Sequence, residues 1–216
     1  MDPPRVQHEE VQALSAEQAR HLLTVAANDR LGAVFILALA TGMRQGEVLG
    51  LKWENVDLEK GKLHVKTALQ RVEGKFVLAD PKTAKSQRML PLPKVALAAL
   101  KQHRALQAEE RLRVGAAWQE KWGLVFTTSN GTPLDARNVL RSFTRLLKVN
   151  GLPEVRFHDL RHSCASLLLS QGVSLRMIME ILGHSQIGLT ANLYTHIAPI
   201  MHEEAAAQMD AVLAAR

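Results

Sequence analysis

The sequence predicts a mainly α-helical domain carrying a small three-stranded antiparallel β-sheet, an α+β arrangement. Three observations lead there. Residues 14–51 and those after 92 read as mainly helical, whereas residues 60–92 hold short alternating or apolar runs separated by turn residues. The order is helices, sheet, helices, which differs from the alternation of βαβ units and argues against a doubly wound sheet. Hydrophobic residues make up 47% of 216 residues, enough for a packed core and too many for a disordered chain.

Residues 1–13 read as a linker or tail. The run Leu14-Ser15-Ala16-Glu17-Gln18 carries a capping box, with Ser15 as N-cap and Gln18 three residues later, and starts a helix reaching about Ala27. Leu31–Ala40 is apolar all round, as a buried helix would be. Thr41-Gly42 breaks it, and a short helix through Arg44–Leu51 follows. The three strands are Leu63–Lys66, Phe76–Leu78 and Arg88–Leu92, with turns at Glu73-Gly74 and Asp80-Pro81. Helices are then expected over about Lys94–Val114, Asp135–Val149, His158–Gln171 and Ser174–Leu182. A short helix carries Tyr194, and a last one runs through Glu203–Ala215. There is no internal repeat or low-complexity tract.

The net charge of +6 suits a polyanionic partner such as DNA, RNA or an anionic membrane surface, although many basic proteins bind none of these. A single cysteine, Cys164, excludes a disulfide within the chain and makes a reducing compartment the default. The start, MDPPRVQHEE, is not a signal peptide, and the longest apolar run, Ala33–Ala40, is too short to span a membrane. A soluble, cytoplasmic protein with no membrane partner is expected. Neither GxGxxG nor GxxxxGK[ST] occurs, so no nucleotide site of those kinds is expected.

Three islands hold most of the chemically capable groups. In the first, Thr41–Glu47, Arg44 falls in the first turn of a helix, where free amides and the helix dipole favour an anion. Glu47 lies three residues on, on the same face, and could hold the guanidinium or a nearby imidazole; a plain surface ion pair is the alternative. In the second, Phe157–His162, His158 and Arg161 present an imidazole and a forked cation on one face near a helix start, which matches a phosphate. His158 and His162 have metal-ligand spacing, but the glutamate of HExxH is missing and no Cys/His cluster supports them, so no metal is expected. Cys164 beside His162 reads either as a nucleophile or, more commonly for this residue type, as a buried thiol. In the third, Gly183 is a good residue for a helix C-terminus, so His184 should emerge just past it. Tyr194, the only tyrosine, reads alone as a half-buried core residue.

Together these groups suit phosphoryl transfer, in which positioning and charge neutralisation are the main tasks. A phenol, with a solution pKa of about 10, serves as nucleophile if a base or a cationic pocket ionises it. The ester it forms keeps the energy of the broken phosphodiester, so rejoining needs no ATP.

Four separated strings now carry a resemblance: TGMRQGEVLGLKWENVDL, PKTAKSQRMLPL, FHDLRHSCASLLLSQG and LGHSQIGLTANLYTH. In this order the chain resembles the tyrosine recombinases, which include phage integrases, conjugative-element integrases and chromosome-dimer resolvases, from about Leu14 to Ile200. The spacings agree: three residues from His158 to Arg161, 23 to His184 and ten more to Tyr194.

The resemblance implies the catalytic-domain fold of DNA breaking-rejoining enzymes and a bacterial or phage-encoded, nucleoid-associated protein. It also implies metal- and ATP-independent cleavage and rejoining, without a cofactor, in the manner of type IB topoisomerases. Tyr194 would attack the scissile phosphate, giving a 3′-phosphotyrosine and a free 5′-hydroxyl. Arg44 and Arg161 would hold the non-bridging oxygens, His158 would be base or hydrogen-bond partner, and His184 would donate to the phosphate. Lys82 would be general acid for the leaving 5′-oxygen, with Lys85 able to substitute, and Glu47 a supporting group. A DNA-binding regulator that has lost turnover and a topoisomerase are competing readings. The full set of candidate groups argues against the first, since a decoy needs no such set, and the second differs in needing no partner site.

The expected partner is double-stranded DNA. On the helix at Asp135–Val149, Arg137, Arg141 and Arg145 recur four apart with Lys148 nearby, opposite Val139, Leu140, Phe143, Leu146 and Leu147. That stripe suits DNA contact or plain solvation equally. Thr83 and Lys85 are further contact candidates, and Lys62, Lys66, Arg71 and Lys75 add charge from the sheet. The family usually carries an N-terminal helical clamp, for which about 13 residues are too few, so an excised catalytic fragment or a naturally short relative is expected. The resemblance further implies a homo-tetramer on synapsed sites, a monomer without DNA, a catalytic domain over 14–200, and a helix at 201–216 exchanged between subunits or packed on its own domain.

Overall fold

The computed structural model of the chain describes residues 13–79, 87–183, 209–210 and 213–214. The chain divides into two units, Met1–Gly183 and His184–Arg216. In the second unit the described residues, 209–210 and 213–214, are helical, within the span expected for a last helix. Lys82, Thr83, Lys85, His184 and Tyr194, and the short helix expected around Tyr194, lie outside the described residues.

The first unit is built around one helix. Helix α1 (Ala16–Ala26) opens on the expected capping box: Ser15 Oγ accepts from the Gln18 amide at 3.1 Å, and Gln18 Oε1 accepts from the Ser15 amide at 2.9 Å. Helix α2 (Gly32–Thr41) is buried at nine of its ten residues, as a sequence apolar up to Ala40 requires. It packs against α1, α4 (Lys94–Val114) and α6 (Asp159–Ser170). Gly42 ends it with φ 62°, a left-handed turn; a Cβ there would come within 2.3 Å of Leu182 Cδ2. Helix α3 (Gln45–Leu49) and a 3-10 turn at Trp53–Asn55 lead into the sheets. Helix α5 (Ala136–Val149) closes the core with Phe143, whose ring lies 5.1 Å from that of Phe35 and 5.7 Å from that of Phe157. Phe157 sits immediately before His158, so this aromatic cluster anchors the start of α6.

The three-stranded antiparallel sheet is present with a different third member. Its order is β1 (Val56–Asp57), β2 (Lys62–Val65), β5 (Arg88–Pro91), with Leu63 opposite both Val56 and Leu90. The run at 76–78 belongs instead to a separate hairpin, β3 (Ala68–Val72) and β4 (Lys75–Ala79), that turns at Glu73-Gly74. Two-residue β1 is too short to show alternation, and ALQRV at 68–72 exposes three of its five residues, so neither announces itself as a strand. The hairpin packs on α3 because Gly50 leaves room for it: a Cβ at Gly50 would stand 2.5 Å from the Leu69 amide nitrogen. Helix α7 (Leu175–Leu182) ends the unit at Gly183, in a left-handed conformation at φ 67°, as the sequence suggests. No helix among the described residues is long and apolar enough to cross a membrane.

Candidate active site

Arg44 and His158 each sit at the start of a helix. Arg44 is the N-cap of α3, one residue before the helical turn in which the sequence placed it. Its extended backbone lets Glu47 reach back: Oε2 accepts from the Arg44 amide at 2.9 Å and Oε1 from Arg44 Nη1 at 2.9 Å. This is more than a surface ion pair, because the Glu47 side chain is only 5% exposed. Arg88 grips the same carboxylate from β5, with Nη2 2.9 Å from Oε2 and Nη1 3.3 Å from Oε1. Burial pulls the Glu47 pKa up, but the hydrogen bond and charge of Arg88, the Arg44 amide and the Arg44 charge outweigh it, leaving the carboxyl below its ordinary value.

His158 is the N-cap of α6, and Arg161 follows one turn later, deeply buried. Arg161 Nη1 donates to the Gly42 carbonyl at 2.6 Å and Nη2 to that of Leu182 at 2.7 Å, so one side chain ties α6 to the end of α2 and the end of α7. Burial, then the charge of Arg44, lowers its pKa to about 9 against the opposing pull of Glu47, and it stays cationic at neutral pH. Asp159 fixes the start of α6 by accepting from the Arg156 amide at 2.8 Å and from its guanidinium at 3.1 Å.

The two islands converge on the C-terminus of α7. Its last carbonyls are each capped by a different arginine: Ile181 by Arg88 Nε at 2.7 Å, Leu182 by Arg161, and Gly183 by Arg44 Nη2 at 3.4 Å. The helix has no basic residue of its own in its last turn, so these three cations complement its dipole from outside. Such a cluster, with Arg44 left 41% exposed at its rim, can receive an oxyanion.

Arg44, Glu47 and Arg161 are thus brought together, and His158 lies near enough to feel the charges of Arg161 and Arg44. Arg137, Arg141 and Arg145 form an exposed stripe along α5, with Val139, Phe143, Leu146 and Leu147 buried opposite; Leu140, read as part of that apolar face, is 39% exposed. Arg141 donates to Asn138 Oδ1, and Arg71 pairs with the α5 N-cap Asp135 at 2.6 Å. Arg88 was missed as a site residue. Its signal was weak but present: in β5 the inward positions are Arg88 and Leu90, and an arginine facing a core needs a partner. Cys164 is buried, and its thiol is pushed up to about 11 by burial, which removes it as a nucleophile at neutral pH.

The rings of His158 and His162 meet edge to face, 5.3 Å apart. Burial lowers the pKa of both below 6.5, reinforced at His158 by the charge of Arg161 and at His162 by that of His158. In the unfolded chain each binds a proton at a pH where the folded chain does not. Their contribution is therefore fully present above about pH 6.5 and is lost as pH falls below it. His103, held on the Val125 carbonyl at 2.9 Å and lowered by burial, has the same sign. The melting temperature should fall between about pH 7.5 and 5.5, and less steeply in His158→Asn/His162→Asn. A flat wild-type profile would contradict these assignments.

The fold and this cluster define a class of helical domain in which arginines from three elements gather on the end of one helix. The phage integrase family model matches residues 5–200, and the chain belongs to that family, the tyrosine recombinases. A XerC-like tyrosine recombinase of Caldanaerobacter subterraneus subsp. tengcongensis is 39% identical over 201 residues, covering 88% of this chain and 51% of that protein. An integrase of Streptomyces ambofaciens is 38% identical over 210 residues, covering 93% and 53%. Among solved structures, XerA recombinase superposes with a TM-score of 0.68 at 26% identity, over 89% of this chain and 61% of that one. The Tn1549 transposon integrase, solved in complex with transposon right-end DNA, gives 0.78 at 23% identity, over 93% and 68%, a likeness of fold. The chain spans about half the length of the curated relatives it matches.

Proposed function

We propose that this chain is the DNA-cleaving part of a site-specific recombinase, residues 14–200 forming its catalytic domain. The observation that supports this most is the joint anchoring of Arg44 and Arg161 on the end of α7, immediately before His184 and eleven residues before Tyr194. Tyr194 attacks the scissile phosphate and the 5′-oxygen leaves, so one phosphodiester bond is exchanged for one phosphotyrosyl bond and the reverse step rejoins the strand. Arg44 and Arg161 neutralise the non-bridging oxygens, an effect of about 100- to 1000-fold per well-placed donor. His158, kept neutral at pH 7 by its surroundings, takes or shares the phenolic proton. His184 donates to the phosphate, and Lys82, or Lys85 in its place, protonates the leaving oxygen. Glu47 holds Arg44 in position.

Double-stranded DNA is the substrate, with Arg137, Arg141, Arg145, Thr83 and Lys85 on its backbone. The assembly that recombines is a homo-tetramer on synapsed sites formed from monomers, with residues 201–216 exchanged between subunits. The working compartment is the bacterial cytoplasm, on the nucleoid. The test is to incubate the chain with supercoiled plasmid in EDTA and then denature it. Relaxed plasmid and DNA covalently joined to protein are expected; activity that appears only with Mg²⁺ would overturn the mechanism.

A further inference from the structure

Resting on that reading, we infer that Arg88 is a positioning residue for strand cleavage, fixing Glu47 and the end of α7 so that Arg44 and Arg161 present their guanidinium groups to one phosphate. The side chain is 7% exposed, and all three of its guanidinium nitrogens are engaged by Glu47 and the Ile181 carbonyl. It reaches two separate elements: the Glu47 carboxylate on α3 through both terminal nitrogens, and the Ile181 carbonyl on α7 through Nε. Those elements carry the groups on which the two phosphate-facing arginines rest. Arg44 leans on Glu47 and on the Gly183 carbonyl, and Arg161 leans on the Leu182 carbonyl.

Arg88 fills its space closely. A Cβ at Gly183 would stand 2.9 Å from Nη1 and 3.2 Å from Cδ, so the guanidinium is packed against the residue that precedes His184. It also stands at the start of β5, six residues after Lys82. A planar fork can serve a carboxylate and a carbonyl at once; an ammonium, a point charge on a flexible stem, cannot do so with the same geometry. The consequence is electrostatic as well as steric. Without Arg88, Glu47 would keep its burial and lose two of the influences that hold its carboxyl low, so its pKa would rise and it would be a weaker charged partner for Arg44 as pH falls.

The test compares wild type, Arg88→Met, Arg88→Lys, Glu47→Gln and Glu47→Gln/Arg88→Met on supercoiled plasmid in EDTA. It measures the initial rate of covalent adduct formation from about pH 8 to 5.5, with plasmid binding and thermal melting followed in parallel. Arg88→Met should cleave about tenfold to 100-fold more slowly, the cost of a misplaced group, while binding plasmid as wild type does. Its loss should deepen on acidification, and this deepening should vanish in Glu47→Gln and in the double variant, which should be no slower than the slower single variant. If Arg88→Met does not fold, Arg88→Lys carries the test: slower cleavage with the wild-type pH profile is expected. Wild-type rates in both Arg88 variants, or a pH-independent loss that adds to that of Glu47→Gln, would overturn the inference. Absence of any adduct with the wild-type chain would instead sink the recombinase reading and this inference with it.

Discussion

Tyr194→Phe should abolish the covalent protein–DNA adduct while leaving DNA binding nearly intact. The substitution removes one oxygen and keeps the ring, so the side chain's shape is conserved and the nucleophile is lost. There is no other tyrosine in the chain to take over. The loss should therefore be complete rather than partial, unlike the removal of a group that only stabilises charge. Denaturing gels of plasmid incubated with each protein measure the adduct, and retention of plasmid on filters at matched salt measures binding, which depends steeply on ionic strength. An adduct that persists in Tyr194→Phe would remove the phenol from the mechanism.

Arg161→Ala should fail in two separable ways. Removing a fixed cation from the transition-state charge costs about 100- to 1000-fold in rate. The same side chain also joins three elements, donating to the Gly42 carbonyl at 2.6 Å and the Leu182 carbonyl at 2.7 Å. Each hydrogen bond from a charged donor contributes about 1.5–3 kcal/mol, and its loss leaves a buried carbonyl unserved. Arg161→Ala should thus melt well below wild type as well as cleave slowly. Cleavage measured at a temperature where the variant remains folded separates the effects: the rate deficit should persist there. A folded Arg161→Ala that cleaves at the wild-type rate would show that this guanidinium serves the fold alone.

Local patterns were legible in the sequence, and convergence was not. The Ser15–Gln18 capping box, the apolar α2 and the glycines at 42 and 183 each depend on neighbours within four residues, and the structure has them where the chain implies. The pairing of Arg44 with Glu47 follows from their spacing, although Arg44 is a cap and not part of the helical turn. Arg88 escaped because its meaning depends on Glu47, 41 residues away, and on a backbone carbonyl 93 residues away, relations that no periodicity encodes. The run at 76–78 was misjoined to the sheet, and its true partner at 68–72 went unread, for a similar reason: strand partnership is a non-local choice, and the alternation in 68–79 is weak on a largely exposed ribbon. The three-arginine cap on α7 could not be read at all, since backbone carbonyls carry no sequence signature.

The most direct measurement is the site of attachment. Plasmid adduct formed in EDTA would be digested with nuclease and trypsin and the residual nucleotide located by mass spectrometry. Tyr194 lies in the tryptic peptide 177–216, which contains no internal lysine or arginine. A phosphonucleotide on Tyr194, carrying the 3′-phosphate of the cleaved strand, is the expected result. A modification on another side chain, or a 5′-linked nucleotide, would contradict it.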